Sequence, residues 1–207
     1  MQLVGMLDSP YVRRTAISLR LLGIPFEHRS VSVFNTFETF QKINPVVKAP
    51  TLVCDDGTVL MDSTLILDYA AALAPQRALM PANIAQRQQD LRVIGLALAA
   101  CEKAVQIVYE RNLRPTEKQH EPWLARVRGQ LLAAYAALEV EVRNKPLAVT
   151  SKTISQAGVT TAVVWQFTQS MLPEIVVAGS YPALHEFSEQ AEQLPEFLAA
   201  PPDGPGV

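Results

Sequence analysis

What most constrains this 207-residue chain is a change of hydrophobic period partway along it. Up to about Ala74, short β-like runs alternate with helix-like runs, and each is cut off by a turn signal. Beyond Ile84 the only sustained pattern is helical. Residues 2–7 form a short apolar run ending at Asp8-Ser9-Pro10. Residues 11–22 carry Val12, Ala16 and Leu19 at helical spacing and stop at Gly23-Ile24-Pro25, with the glycine where a helix commonly ends. Residues 26–33 alternate as a strand, and 36–43 read as a short helix closed by Asn44-Pro45. Two strands, 51–54 and 58–61, flank Asp55-Asp56-Gly57, a hairpin signal because glycine accepts positive φ. A helix over 63–73 follows. The order β-α-β-α-β-β-α predicts an α/β unit over residues 1–75. Its first two strands should be parallel through a right-handed crossover, and its last two an antiparallel hairpin.

A linker is expected over 76–84, preceded by Pro75 and carrying Pro81. An all-helical bundle should occupy 85–200, with a flexible tail over 201–207. One apolar face runs through Ile94, Ala97, Leu98, Cys101, Val105 and Val108. A second runs through Val127, Leu131, Ala134, Leu138 and Val142, and a third through Val159, Ala162, Val163 and Phe167. Breaks are expected at Arg114-Pro115, Lys145-Pro146 and Leu172-Pro173. The fold class is therefore α/β followed by all-α.

Composition removes several functions. A hydrophobic fraction of 49% with a net charge of −2 is that of a folded chain, not a disordered one. A pI near 5.9 argues against nucleic acid as a partner. No apolar run approaches the roughly 20 residues of a membrane span, and the N-terminus lacks a basic n-region. A cytoplasmic location is the expectation. Cys54 and Cys101 form no CxxC and read as buried thiols. His28, His120 and His185 are too scattered to hold a metal, and Trp123 and Trp165 read as packing residues.

Three segments of the first half have chemistry to offer, each with a plain structural reading beside it. Ser9 fits an N-cap with Pro10 at the first helical position. The same geometry turns its hydroxyl toward an anion at the positive end of a helix dipole. Ala49-Pro50 opens a strand, and frequency alone favours a trans bond. A cis bond would instead turn the Ala49 N–H and C=O outward to pair with an extended peptide. Asp62 and Ser63 suit a cap as well. An acid beside a hydroxyl at a helix N-terminus also suits a zwitterion, the acid taking an ammonium and the hydroxyl a carboxylate.

Joint order is more specific than any one segment. Ser9-Pro10-Tyr11-Val12-Arg13, Asn44-Pro45, Lys48-Ala49-Pro50-Thr51-Leu52, the hairpin around Asp55 and Gly57, and Asp62-Ser63 before Ile66 follow one another as in a known family. So do Ser155-Gln156-Ala157-Gly158-Val159, Tyr181-Pro182-Ala183-Leu184 and Pro195-Glu196-Phe197. The chain resembles the glutathione transferase superfamily nearly end to end, and most of all its bacterial serine-type members. That resemblance implies a thioredoxin-like first domain, an all-α second domain and a homodimer. It implies an enzyme joining glutathione to small electrophiles, with glutathione as co-substrate and no other cofactor. Ser9 falls where such enzymes stabilise the glutathione thiolate. Ala49, before a proline expected to be cis, falls where the cysteinyl unit is paired. Asp62 and Ser63 fall at the γ-glutamyl group, and Lys48 at the glycyl carboxylate. Tyr11 is expected to line the co-substrate site and is a rival for the thiolate. The reductase branch needs cysteine where this chain has Ser9; a peroxidase and a non-catalytic partner-binding module remain alternatives.

The chain departs from the pattern in three places. Ala49 stands where valine is commoner, and Asp62 where Glu or Gln is frequent. Gly158 stands where Ser/Thr-x-x-Asp begins a helix. Loss of that Asp predicts a weaker helix start, and restoring it should add up to ~1 kcal/mol.

Overall fold

The computed structural model describes residues 1–202, so positions 203–207 of the expected tail lie outside the described residues. The described residues divide into two compact units, one formed by Met1–Leu79 together with residues 194–202, the other by Met80–Gln193.

In the first unit the elements are β1 (Gln2–Val4), α1 (Pro10–Leu21), β2 (Glu27–Arg29), α2 (Phe37–Ile43), β3 (Thr51–Val53), β4 (Val59–Met61) and α3 (Ser63–Leu73). The sheet order is β2-β1-β3-β4. β1 and β2 are parallel, and β3 is antiparallel to both β1 and β4. The parallel β1–β2 pair and the β3–β4 hairpin are those expected from the sequence, whereas the antiparallel β1–β3 pairing that joins them has no local signal in it. The second strand is shorter than the 26–33 alternation suggested, because only Glu27–Arg29 lies opposite β1. Leu3, Val12, Ile17, Leu19, Phe40, Leu52 and Ile66 are fully buried in this unit.

The expected bundle boundary at 200 needs correction. After Gln193, the last residue of the second unit, the chain returns to the first as a short terminal helix, α8 (Pro195–Leu198). Phe197 and Ala200 are both 0% exposed there. Arg13 of α1 donates from Nε to the Ala200 carbonyl at 2.8 Å, and its guanidinium lies over the Phe197 ring. No periodicity in the sequence signals such a return.

The second unit holds α4 (Ile84–Leu113), α5 (Glu121–Asn144), α6 (Gln156–Met171) and α7 (Pro182–Ala191). The first three end just before Pro115, Pro146 and Pro173, where a ring nitrogen cannot continue the ladder. Small residues Ala97, Ala100, Ala104, Ala157 and Ala162 are wholly buried and let the helices close up. Trp165, Tyr135 and Tyr181 form an aromatic cluster with centroids 5.6–6.1 Å apart. Trp165 packs as expected, but Trp123 is 43% exposed at the start of α5, which corrects the packing reading for that residue. Cys54 and Cys101 are buried free thiols. No helix among the described residues is long and apolar enough to cross a membrane.

Gly158 also contradicts expectation. It is buried in α6, and a Cβ there would stand 2.8 Å from Ile154 Cγ1 and 3.3 Å from Phe187 Cζ. Ser155 makes no side-chain cap bond, so the expected lack of a reciprocal cap is present. An aspartate in place of Gly158 would nevertheless collide before it could cap. The position needs glycine for close packing.

Candidate functional site

Strand register decides which loops meet. Val4 of β1 pairs with Thr51 of β3, and Thr51 pairs with Met61 of β4. The end of β1, the start of β3 and the end of β4 therefore share one end of the sheet. The segments just beyond them carry Ser9, Lys48-Ala49-Pro50 and Asp62-Ser63, so topology gathers all three sequence-predicted segments at one end of the first unit.

Gly5 makes the first of these junctions possible. Its φ is +136°, and a Cβ on it would lie 2.6 Å from Val12 Cγ2 and 3.2 Å from Ala49 Cβ. The chain leaving β1 thus passes between α1 and the Ala49 loop with no room for a side chain. Four residues later, on half-buried backbone, Ser9 caps α1 and Pro10 occupies the first helical turn. Its Oγ accepts from the Val12 N–H at a long 3.5 Å. A hydroxyl has one proton to donate, and here that proton is not used by the cap.

The Ala49–Pro50 bond is cis. Ala49 is half-buried, and its N–H and C=O bond to no other described residue. A short open peptide edge results. Lys48 beside it is exposed.

Asp62 caps α3, with Oδ1 accepting from the Thr64 N–H at 2.9 Å, and it does so at φ 70° and ψ 123°. That conformation is sparsely populated for any residue with a Cβ. Ser63 is only 3% exposed, so the hydroxyl expected to face a ligand is largely enclosed. Arg14 Nη1 donates to Ser63 Oγ at 3.2 Å and reaches Thr64 Oγ1 at 3.4 Å. Arg14 is itself 2% exposed and brings its guanidinium from α1 to the N-terminus of α3. The sequence pattern gives Arg14 no role. An arginine next to an apolar stripe reads as solvent-facing, and only the packing of α1 on α3 reveals otherwise.

Two further polar residues, His28 and Arg111, make contacts within the protein. His28 Nε2 lies 2.8 Å from the Gly5 carbonyl, a structural contact under the same loop. Arg111 of α4 is paired with Glu174.

The arrangement presents a hydroxyl donor, an unpaired peptide edge, a carboxylate and a helix N-terminus backed by a cation. These groups lie on a thioredoxin-like unit, which the chain carries with an all-helical unit. Residues 3–78 match the glutathione S-transferase N-terminal domain family. The chain is 30% identical over 139 residues to the uncharacterized GST-like protein YibF of Escherichia coli, covering 67% of this chain and 68% of that one. A glutathione S-transferase from Methylobacterium radiotolerans, solved with glutathione sulfonate, superposes with TM-score 0.90 at 24% identity over 100% of this chain and 96% of its own. A glutathione transferase family member from Pseudomonas fluorescens Pf-5, with bound glutathione, superposes with TM-score 0.85 at 27% identity, covering 98% of this chain and 99% of that one. This chain belongs to the glutathione S-transferase superfamily.

Proposed function

We propose that the chain is a glutathione transferase of the serine type, working as a homodimer and joining the glutathione sulfur to small electrophiles. One observation carries the reading: the open peptide edge of Ala49 lies at the same sheet end as the donor Ser9 and the acid Asp62. In this reading the cysteinyl backbone of glutathione pairs with Ala49 as a short added strand. The γ-glutamyl ammonium meets the free oxygen of Asp62. Its carboxylate meets the α3 N-terminus, where backbone N–H groups rather than the enclosed Ser63 hydroxyl donate, and Arg14 behind them supplies positive charge. Lys48 takes the glycyl carboxylate.

A free thiol titrates near about 8.5 and attacks as the thiolate. Lowering that by two units takes about 2.7 kcal/mol of preference for the anion. A hydrogen bond to a charged acceptor contributes about 1.5–3 kcal/mol. A helix N-terminus adds about 0.3–1 kcal/mol. Ser9 at the start of α1 offers both and does not itself ionise. The thiolate then forms a C–S bond to the electrophile. A leaving group departs with the electron pair, or in an addition the neighbouring carbon takes a proton from solvent.

The non-catalytic reading has one observation in its favour, namely that Ser9 and Asp62 both serve as helix caps. Calorimetric titration with glutathione, followed by a panel of electrophiles, separates the two. Saturable heat and glutathione-dependent consumption of at least one electrophile support the transferase. Absence of both heat and thermal shift at several millimolar glutathione leaves the partner-binding module.

A further inference from the structure

The loop bearing Lys48 and Ala49 is held by a polar pair that the strand ladder does not require. Asn44, 2% exposed at the end of α2, accepts the Val46 N–H on Oδ1 at 3.0 Å. Its Nδ2 donates to Thr51 Oγ1 at 2.8 Å and lies 3.5 Å from the Met61 sulfur. Thr51, 0% exposed, passes the connection on, its hydroxyl donating to the Lys48 carbonyl at 2.7 Å. The Asn44 carbonyl also accepts the Val47 N–H at 2.9 Å, where Val47 has φ 52°. A β-branched residue enters the left-handed region only when its surroundings impose it.

We propose that Asn44 and Thr51 are positioning residues which hold the peptide edge at Ala49 in its ligand-pairing geometry and tie it, through Met61, to the Asp62 corner. Loop 45–50 spans two anchors, Asn44 behind it and Thr51 ahead, and both belong to one chain of hydrogen bonds. The proposal rests on the reading of Ala49 as the site for the cysteinyl unit of glutathione. Neither residue needs to touch the ligand.

The effect follows from population. If the relay is cut, the loop spends part of its time out of register, and apparent affinity falls by the fraction that remains competent. Bound glutathione restores the register, so turnover at saturation is spared. One net hydrogen bond corresponds to about fivefold in an equilibrium.

Thr51→Val keeps shape and β-branching but removes both bonds of the hydroxyl, whereas Thr51→Ser keeps both. Thr51→Val should raise the glutathione Kd and KM by about fivefold. The kcat at saturating glutathione, its pH profile and the KM of the electrophile should stay within about twofold of the original protein. Thr51→Ser should restore glutathione binding. Asn44→Ala combined with Thr51→Val should bind no worse than Asn44→Ala alone, the non-additivity of a shared network. Unchanged glutathione KM in Thr51→Val with a lowered Tm would overturn the proposal and leave the pair purely structural. So would equal losses in Thr51→Ser and Thr51→Val. If the unmodified protein fails to bind glutathione, the reading of the site falls and takes the relay with it. That outcome is distinct, because it shows before any substitution is made.

Discussion

Two kinds of helix N-terminus in this protein meet opposite fates. In the second unit the start of α7 is closed by the chain's own acid. Glu139 of α5, 7% exposed, accepts the Ala183 and Leu184 N–H groups on its two oxygens at 3.0 Å each. In the first unit the starts of α1 and α3 have only partial caps. Ser9 accepts one long bond, Asp62 accepts one through a single oxygen, and Arg14 adds positive charge beside α3. A helix N-terminus attracts an anion wherever it lies. When the chain supplies a buried carboxylate, that attraction becomes stability. When it leaves donors open at a sheet end crowded with polar groups, the attraction is available to a ligand.

The contrast breaks most visibly at Glu139. Glu139→Ala leaves two N–H groups of α7 without their charged acceptor in a nearly closed site. Urea unfolding should show a loss of about 3 kcal/mol, with no change in glutathione affinity. A weakened affinity at unchanged stability would mean that the two classes of N-terminus are not distinct.

The start of α6 is a third case, in which the N-cap Ser155 makes no side-chain bond. Its contribution comes from packing, which puts Gly158 against Ile154 and Phe187. Gly158→Ala should cost about 2 kcal/mol by overpacking, and Gly158→Asp at least as much, since the carboxylate would be buried as well. A rise in Tm for Gly158→Asp would restore the capping account drawn from the sequence.

Ser9 tests the other side. As a cap bonded at 3.5 Å it contributes little to folding, so Ser9→Ala should lower stability by no more than about 1 kcal/mol. As the thiolate donor it matters more: turnover should fall at least about tenfold, equivalent to about 1.4 kcal/mol, with a modest change in glutathione affinity. The pH profile of kcat should move to higher pH, because the bound thiol loses stabilisation of its anion. Coincident profiles for the two proteins would take the role away from Ser9 and favour Tyr11.

What the sequence disclosed and what it withheld divide along the same physical line. Local chemistry was legible. Pro115, Pro146 and Pro173 end helices because proline bars the ladder, and Gly57 turns the hairpin at φ 85° because it lacks a Cβ. The three site segments were legible as turn chemistry at strand ends. Their convergence depends on the antiparallel pairing of β1 with β3, which no local signal announces. Contacts made at a distance were not legible. Arg13 and Arg14 are long charged side chains that periodicity sends to solvent, yet their partners lie in and just past α8 and at the head of α3. Ser63 reads as an exposed hydroxyl until α1 closes over it, and Gly158 reads as a missing cap until Phe187 stands opposite.

Asp62 gives the finest test, because its cap and its strain pull in opposite directions. At φ 70° and ψ 123° its backbone is held where a Cβ is unwelcome, at a cost of about 1–3 kcal/mol. Asp62→Gly gives up the side-chain cap, worth a few tenths of a kcal/mol against glycine. It also adds freedom to the unfolded chain, worth about 0.5–1 kcal/mol. Strain relief should offset or exceed both, leaving stability unchanged or raised by up to about 2 kcal/mol. Glutathione affinity should fall, since the carboxylate that receives the ammonium is gone. The opposite signs are the point: at Glu139 affinity is spared while stability falls, and at Asp62 stability is spared while affinity falls. A loss of more than about 1 kcal/mol in Asp62→Gly would show the α3 cap to be structural in the same sense as the Glu139 cap of α7.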